Sequence, residues 1–153
     1  MTILDNLELD DYLYLDLPND QDLSLAEARL GVKFPYLFWE ALKIGAGKSI
    51  DNLSVQTDSG YKPSFRCLYH PYLDTDEPHA LSVEDLAALG YGQKLLVFSD
   101  SGGVRYCLDY RKDERNPPVV LFVPTEEEGS ESAISRLADD FEDFLFKYLV
   151  RRK

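Results

Sequence analysis

Apolar positions change their period several times along this chain, and each change marks an element. From Tyr12 to Leu17 they alternate, which places Leu13, Leu15 and Leu17 on one face of a short strand. A helix through Ile3, Leu4 and Leu7 fits the same region. Ser24-Leu-Ala-Glu27 has the form of a capping box and predicts a helix start, with Leu25, Ala28 and Leu30 as the apolar face and Gly31 as the stop. Pro35 then opens a second helix, roughly 35–44, in which Leu37, Phe38, Ala41, Leu42 and Gly45 recur at helical spacing. LSVQT and SFRCLY read as two strands joined by a turn. YHPYLDTDEPHA, with two prolines, reads as a surface loop. Ser82 with Asp85 caps a short helix closed by Gly90.

KLLVFS, VRYCLDY and PPVVLFV follow as three successive strands, with DSGG and RKDERN as their turns. Beyond them, Ile134, Leu137, Ala138, Phe141, Leu145, Tyr148 and Leu149 step by three and four, predicting a long C-terminal helix. Glu126 to Glu131 at its start and Lys147 to Lys153 at its end suit the helix dipole. The order ααββαβββα has no βαβ rhythm. It predicts an α+β single domain with a mainly antiparallel sheet of about five to six strands and about four helices.

Composition agrees with a folded chain: 153 residues, 44% hydrophobic and 12% aromatic, fit one core. No apolar run approaches the ~20 residues needed to span a bilayer. MTILDNLELDD lacks the basic and apolar regions of a secretory signal, so a cytoplasmic location and no membrane association are expected. Cys67 and Cys107 lie in apolar strand-like segments without C-x-x-C spacing, and buried thiols are expected rather than a bridge.

Charge changes the picture most. The formal net charge is −12, from 28 acids and 16 bases. Residues 1–30 hold eight acids and one base, and residues 126–143 hold eight acids and one base, so each segment is −7. Phosphate backbones are repelled by such a surface, which argues against direct nucleic-acid binding; a basic protein partner is steered towards it.

Three motifs invite chemistry. FSDSGGVRYCLDY contains the tetrapeptide that surrounds the nucleophile of chymotrypsin-like proteases, at Ser101. The glycine that opens the full signature is Ser99 here, and the two histidines, His70 and His79, share one polar loop. A hairpin turn with positive φ at Gly102 or Gly103 accounts for the stretch. GAGKS imitates the end of a P-loop, but Leu42 stands where the first glycine belongs, and a helix precedes the glycines where a strand is required. Asp74, Asp76, Glu77 and His79 could together hold Mn²⁺ or Zn²⁺, yet their spacing matches neither an EF-hand nor a zincin. No catalytic residue, cofactor or metal site is therefore expected.

Two regions together resemble the SUKH superfamily, which includes yeast cell-wall-synthesis regulators and many bacterial immunity proteins. AEARLGVKFPYLFWEALKIGAG carries the first part through Leu30, Gly31, Pro35, Phe38, Leu42, Gly45 and Gly47. LLVFSDSGGVRYCLDYRKDERNPPVVLFVPTEEE and LADDFEDFL carry the second through Asp100, Gly102, Gly103, Leu108, Asp109, Phe122, Phe141, Phe144 and Leu145. The resemblance spans roughly residues 25–149, with 50–90 poorly matched. Val123-Pro124 replaces the usual Trp-Asp pair, and the acidic N-terminal segment has no counterpart. It implies an α+β domain without a catalytic site.

Resemblance and charge together lead to an expected immunity protein that neutralises a basic toxin domain, such as a nuclease. The expected contacts are the loop acids Asp74, Asp76, Glu77, Asp113, Glu114, Glu126, Glu127 and Glu128. A regulatory interaction module is the second expectation, and a small hydrolase the last.

Overall fold

The structure, a computed structural model, describes residues 7–11, 15–58, 60, 62–125 and 129–151. Its centre is a four-stranded antiparallel sheet in the order β4-β5-β6-β7, formed by Leu95–Ser101, Val104–Asp109, Val119–Phe122 and Ile134–Ala138. Two smaller antiparallel pairs flank it. β1 (Leu9–Asp11) pairs with β2 (Lys48–Ile50), and β3 (Leu53–Val55) pairs with β8 (Leu149–Arg151). The expected α+β class with antiparallel pairing holds. Short pairs contributed by the N-terminal and C-terminal segments raise the strand number to eight among the described residues.

The central sheet is covered on both faces because its strands alternate between two cores. Leu96, Phe98, Tyr106, Leu108, Val119 and Leu121 face the larger core. Leu95, Val97, Cys107, Val120 and Phe122 face a smaller one, completed by Leu86 and Tyr91. Phe98 is the hub of the larger core: its ring meets Phe38 at 5.6 Å, Phe141 at 5.7 Å and Phe144 at 5.9 Å, all edge to face.

Helix α1 (Asp20–Leu30) begins five residues before the position expected from Ser24 and Glu27. Asn19 is the cap. Its Oδ1 accepts from the Asp22 amide at 2.9 Å, and the Asp22 carboxylate accepts from the Asn19 amide at 2.9 Å. Asp20 and Asp22 in the first turn favour this earlier start through the dipole. The buried face is Leu23, Ala26, Glu27 and Leu30, and Leu25 and Ala28 point outward. Glu27 is freed to accept from the Phe34 amide at 2.6 Å. Gly31 ends α1 at φ 73° as expected, its N–H donating to the Glu27 carbonyl at 2.9 Å. Helix α2 (Tyr36–Gly45) follows Pro35 and buries Phe38, Ala41, Leu42 and Gly45.

The long C-terminal helix is corrected. Glu131–Ala133 form a single 3₁₀ turn, and residues 134–138 form β7, paired with β6 from Val119↔Ala138 to Phe122↔Ile134. Helix α4 (Phe141–Asp143) starts only at Asp140, whose Oδ1 accepts from the Asp143 amide at 2.7 Å, and it continues as a π-helical turn over Phe144–Tyr148. β8 then returns to β3. The physical reason is backbone satisfaction: β6 is buried along its whole length, and its outer edge needs a partner that a helix cannot provide. The three-and-four stepping of apolar residues runs across two elements: Ile134 packs on the smaller core, and Leu137, Ala138, Phe141, Leu145 and Leu149 on the larger.

Other expectations resolve locally. The Ser82 hydroxyl accepts from the Asp85 amide at 3.0 Å at the entrance to α3 (Glu84–Ala87). SFRCLY makes isolated bridges through Ser64, Cys67 and Leu68 rather than a continuous strand. Of the Tyr12–Leu17 alternation, Tyr12 to Tyr14 lie outside the described residues, as do Ile3 and Leu4. Cys67 and Cys107 are buried free thiols. Among the described residues, no helix is long and apolar enough to cross a membrane.

Candidate functional site

The loop from Pro71 to His79 is organised by His70. His70 is fully buried; its N–H donates to the His79 carbonyl and its carbonyl accepts from the Leu81 amide, both at 2.9 Å. These bonds close the base of the loop. Inside it, the Tyr72 amide donates to Nδ1 at 3.2 Å, which makes Nδ1 the acceptor and leaves the proton on Nε2. Nε2 then reaches the Pro78 carbonyl at 3.1 Å and the Glu77 carbonyl at 3.3 Å. Burial lowers the imidazole pKa, opposed by these two carbonyls. The Tyr72 hydroxyl ties the loop to the Asp16 carbonyl at 2.8 Å, and Asp74 forms an ion pair with Arg29 of α1. Asp74, Asp76 and Glu77 consequently stand exposed on a loop whose backbone is fixed from within.

Asp113 and Glu114 occupy the β5–β6 turn. The Asp113 carboxylate accepts from the amides of Asn116 at 2.9 Å and Arg115 at 3.0 Å, which lowers its pKa. Its exposed charge is thus also the turn's organiser. Glu114 is exposed beside Lys94, 3.7 Å away. Arg111 anchors the other end of the turn, clasping Asp109 with Nε and Nη2 and reaching Glu131 with Nη1 at 3.0 Å. Glu126, Glu127 and Glu128 lie outside the described residues.

Helix α1 lines a cleft with each of the two acidic loops. On one side of its C-terminal half, Leu25, Ala26 and Arg29 meet Pro71 to Thr75 around a cleft of about 120 Å³. On the other, Ala28 and Gly31 meet Tyr110, Lys94 and Glu114 around a groove of about 300 Å³. Leu25, 54% exposed, is an apolar position between acids.

A second acidic surface, which the expected long helix concealed, gathers Asp139, Asp140, Glu142 and Asp143 around Phe146, itself 53% exposed. The signal for it was present in the sequence: Asp140 and Asp143 at capping-box spacing mark a helix start there, which turns Phe146 outward.

The motif residues have other employment. DSGG is the β4–β5 hairpin turn, with Gly102 at φ 62°, and the Ser101 hydroxyl lies 3.3 Å from the Ser64 hydroxyl. GAGKS is the end of α2, where the Gly47 amide donates to the Leu68 carbonyl at 2.8 Å before Lys48 enters β2. Among the described residues, Asp74, Asp76, Glu77 and His79 do not gather into a metal-holding group, because the loop turns His79 inward towards β4. Its Nδ1 lies 4.0 Å from Asp100.

No curated protein and no solved structure matched this chain. The model of the SMI1 / KNR4 family (SUKH-1) matches residues 17–147, from the segment before α1 through the π-helical turn after α4. That span includes the buried Leu30, Phe38, Leu42, Leu108, Phe122, Phe141, Phe144 and Leu145, on which the resemblance rested. The chain belongs to the SMI1 / KNR4 family (SUKH-1).

Proposed function

We propose that this protein is an immunity-type binding domain that occupies a basic toxin domain, in the first instance a nuclease, and blocks its phosphate-binding cleft. The observation that carries this reading is the exposed row Asp74, Asp76 and Glu77, held on a loop tied down through His70 and Arg29. Carboxylates fixed in this way can stand in for phosphates without a large ordering cost on binding. Glu114 and Asp113 extend the surface across α1, and Glu126, Glu127 and Glu128 belong to the same proposed contact set. The net charge of −12 supplies long-range attraction to a basic partner.

The test is co-expression with the C-terminal domain of a polymorphic toxin encoded beside this gene, followed by binding kinetics. The intact protein restores growth. Asp74→Lys, Asp76→Lys and Glu77→Lys together lower the association rate about tenfold or more at low salt and flatten its salt dependence. Unaltered kinetics in the triple variant would remove these acids from the interface. A regulatory module of the cell-wall type is the second reading, favoured by the family match itself; failure of rescue with retained binding to a cellular protein selects it.

A further inference from the structure

Cys67, His79 and Asp100 come from three separate segments, yet one ligand atom of each lies within 4.8 Å of the other two. They are the one such group among the described residues. We propose that the thiolate of Cys67, the imidazole of His79 and the carboxylate of Asp100 form a site for a single borderline divalent metal ion, Zn²⁺ or Co²⁺. A sulfur, a nitrogen and an oxygen donor make a set that these ions accept and that Mg²⁺ and Ca²⁺ do not.

Two observations besides proximity support the site. His79 is the one non-glycine residue with positive φ, 65°, among the described residues. Positive φ is uncommon outside glycine, though histidine is among the residues enriched there, and such positions concentrate where a side chain must point in a particular direction. This one directs Nδ1 to within 4.0 Å of Asp100. The second observation is an outer support. The Tyr69 hydroxyl donates to Asp100 Oδ1 at 3.0 Å, and the Tyr69 ring lies 5.4 Å from that of His79. One residue therefore orients two of the three ligands, the arrangement that positions donors around metals.

Cys67 is buried, whereas the side chains of His79 and Asp100 are each 28% exposed. The site therefore opens on one side, where water completes a tetrahedral shell. Burial, with the charge of Asp100 second, pushes the Cys67 thiol up to about 12. The cation offsets both effects: as the metal–sulfur bond forms, the thiol proton passes to solvent. The bound ion ties the base of the acidic loop to β4, beside the closure that His70 makes with the His79 carbonyl.

The test is titration of the reduced, metal-free full chain with Co²⁺. One ion binds per chain, with a near-ultraviolet sulfur-to-cobalt charge-transfer band that Zn²⁺ abolishes. Cys67→Ser removes the band, and Cys107→Ser, which lies outside the ligand set, keeps it. Tyr69→Phe weakens binding about 10- to 100-fold. Because Cys67→Ser alters a buried position, His79→Gly is the second variant. Glycine adopts that φ freely, so the metal-free thermal midpoint is retained while the stabilisation by Zn²⁺ is lost. Absence of the charge-transfer band, or unchanged Co²⁺ affinity in His79→Gly, overturns the proposal.

Discussion

His70 illustrates how one side chain can decide the shape of a surface it never reaches. Both of its ring nitrogens are engaged by backbone groups of the loop that presents Asp74, Asp76 and Glu77. Protonating Nδ1 would destroy its acceptor role towards the Tyr72 amide, and burial already disfavours the charge. The charged neighbours are Glu77, which favours the cation, and His79, which opposes it. Since the folded pKa is lowered, the unfolded chain binds the proton more readily. The contribution is full above the unfolded value of about 6.5 and is lost as pH falls through the folded value. The urea midpoint should therefore decline from pH 7 to 5, and His70→Gln should flatten that decline. An identical pH slope in the variant would show that other groups titrate there.

At the scale of elements, the C-terminal third shows how one apolar pattern can serve two structures. Ile134 to Leu149 step at helical intervals, but Asp140 intervenes as a cap and divides the segment into a strand and a helix. Asp140 has a second duty, since its Oδ2 accepts from the Asn116 side chain at 3.1 Å and links α4 to the β5–β6 turn. Asp140→Ala should cost about 1 kcal/mol, with a larger loss only if the Asn116 link adds to the cap. Equilibrium urea unfolding measures this, and an unchanged midpoint would mean that the helix start is held by Phe141 and Phe144 alone. The same reasoning explains α1. Ser24 and Glu27 have capping-box spacing, but Asn19 and Asp22 have it too, five residues earlier, and the earlier cap also buries Leu23. A local signal that occurs twice is settled by which register covers the core.

For the whole molecule, stability and binding are drawn from different residues. Phe98 is fully buried and meets Phe38, Phe141 and Phe144 across the sheet–helix interface. Phe98→Ala should cost about 3–5 kcal/mol, a large share of a typical domain's stability. Phe146→Ala, at an exposed position, should change it by about 0.5 kcal/mol or less. A comparable loss for both in thermal or urea unfolding would contradict the division between core and surface drawn here.

The strands Leu95–Ser101, Val104–Asp109 and Val119–Phe122, their two turns, the Gly31 stop and the helix after Pro35 were all legible in the chain. Each depends on neighbours within a few residues: apolar runs bounded by Gly and Asp, a glycine free to adopt positive φ, a proline that loses nothing at a helix start. The charge balance was legible for the same reason, because it needs no fold at all. Only the tertiary structure decided that Ile134–Ala138 is a strand, since the need of β6 for a partner arises 12 or more residues away. It alone joined the two acidic loops through α1 and carried His79 away from Asp74 to Cys67 and Asp100. Cys67 and Asp100 are distant in sequence and meet because Ser99 of β4 donates to the Cys67 carbonyl at 2.5 Å and holds the two segments side by side. Local chemistry writes the elements, while the satisfaction of buried edges and side chains by distant partners determines which atoms finally share a site.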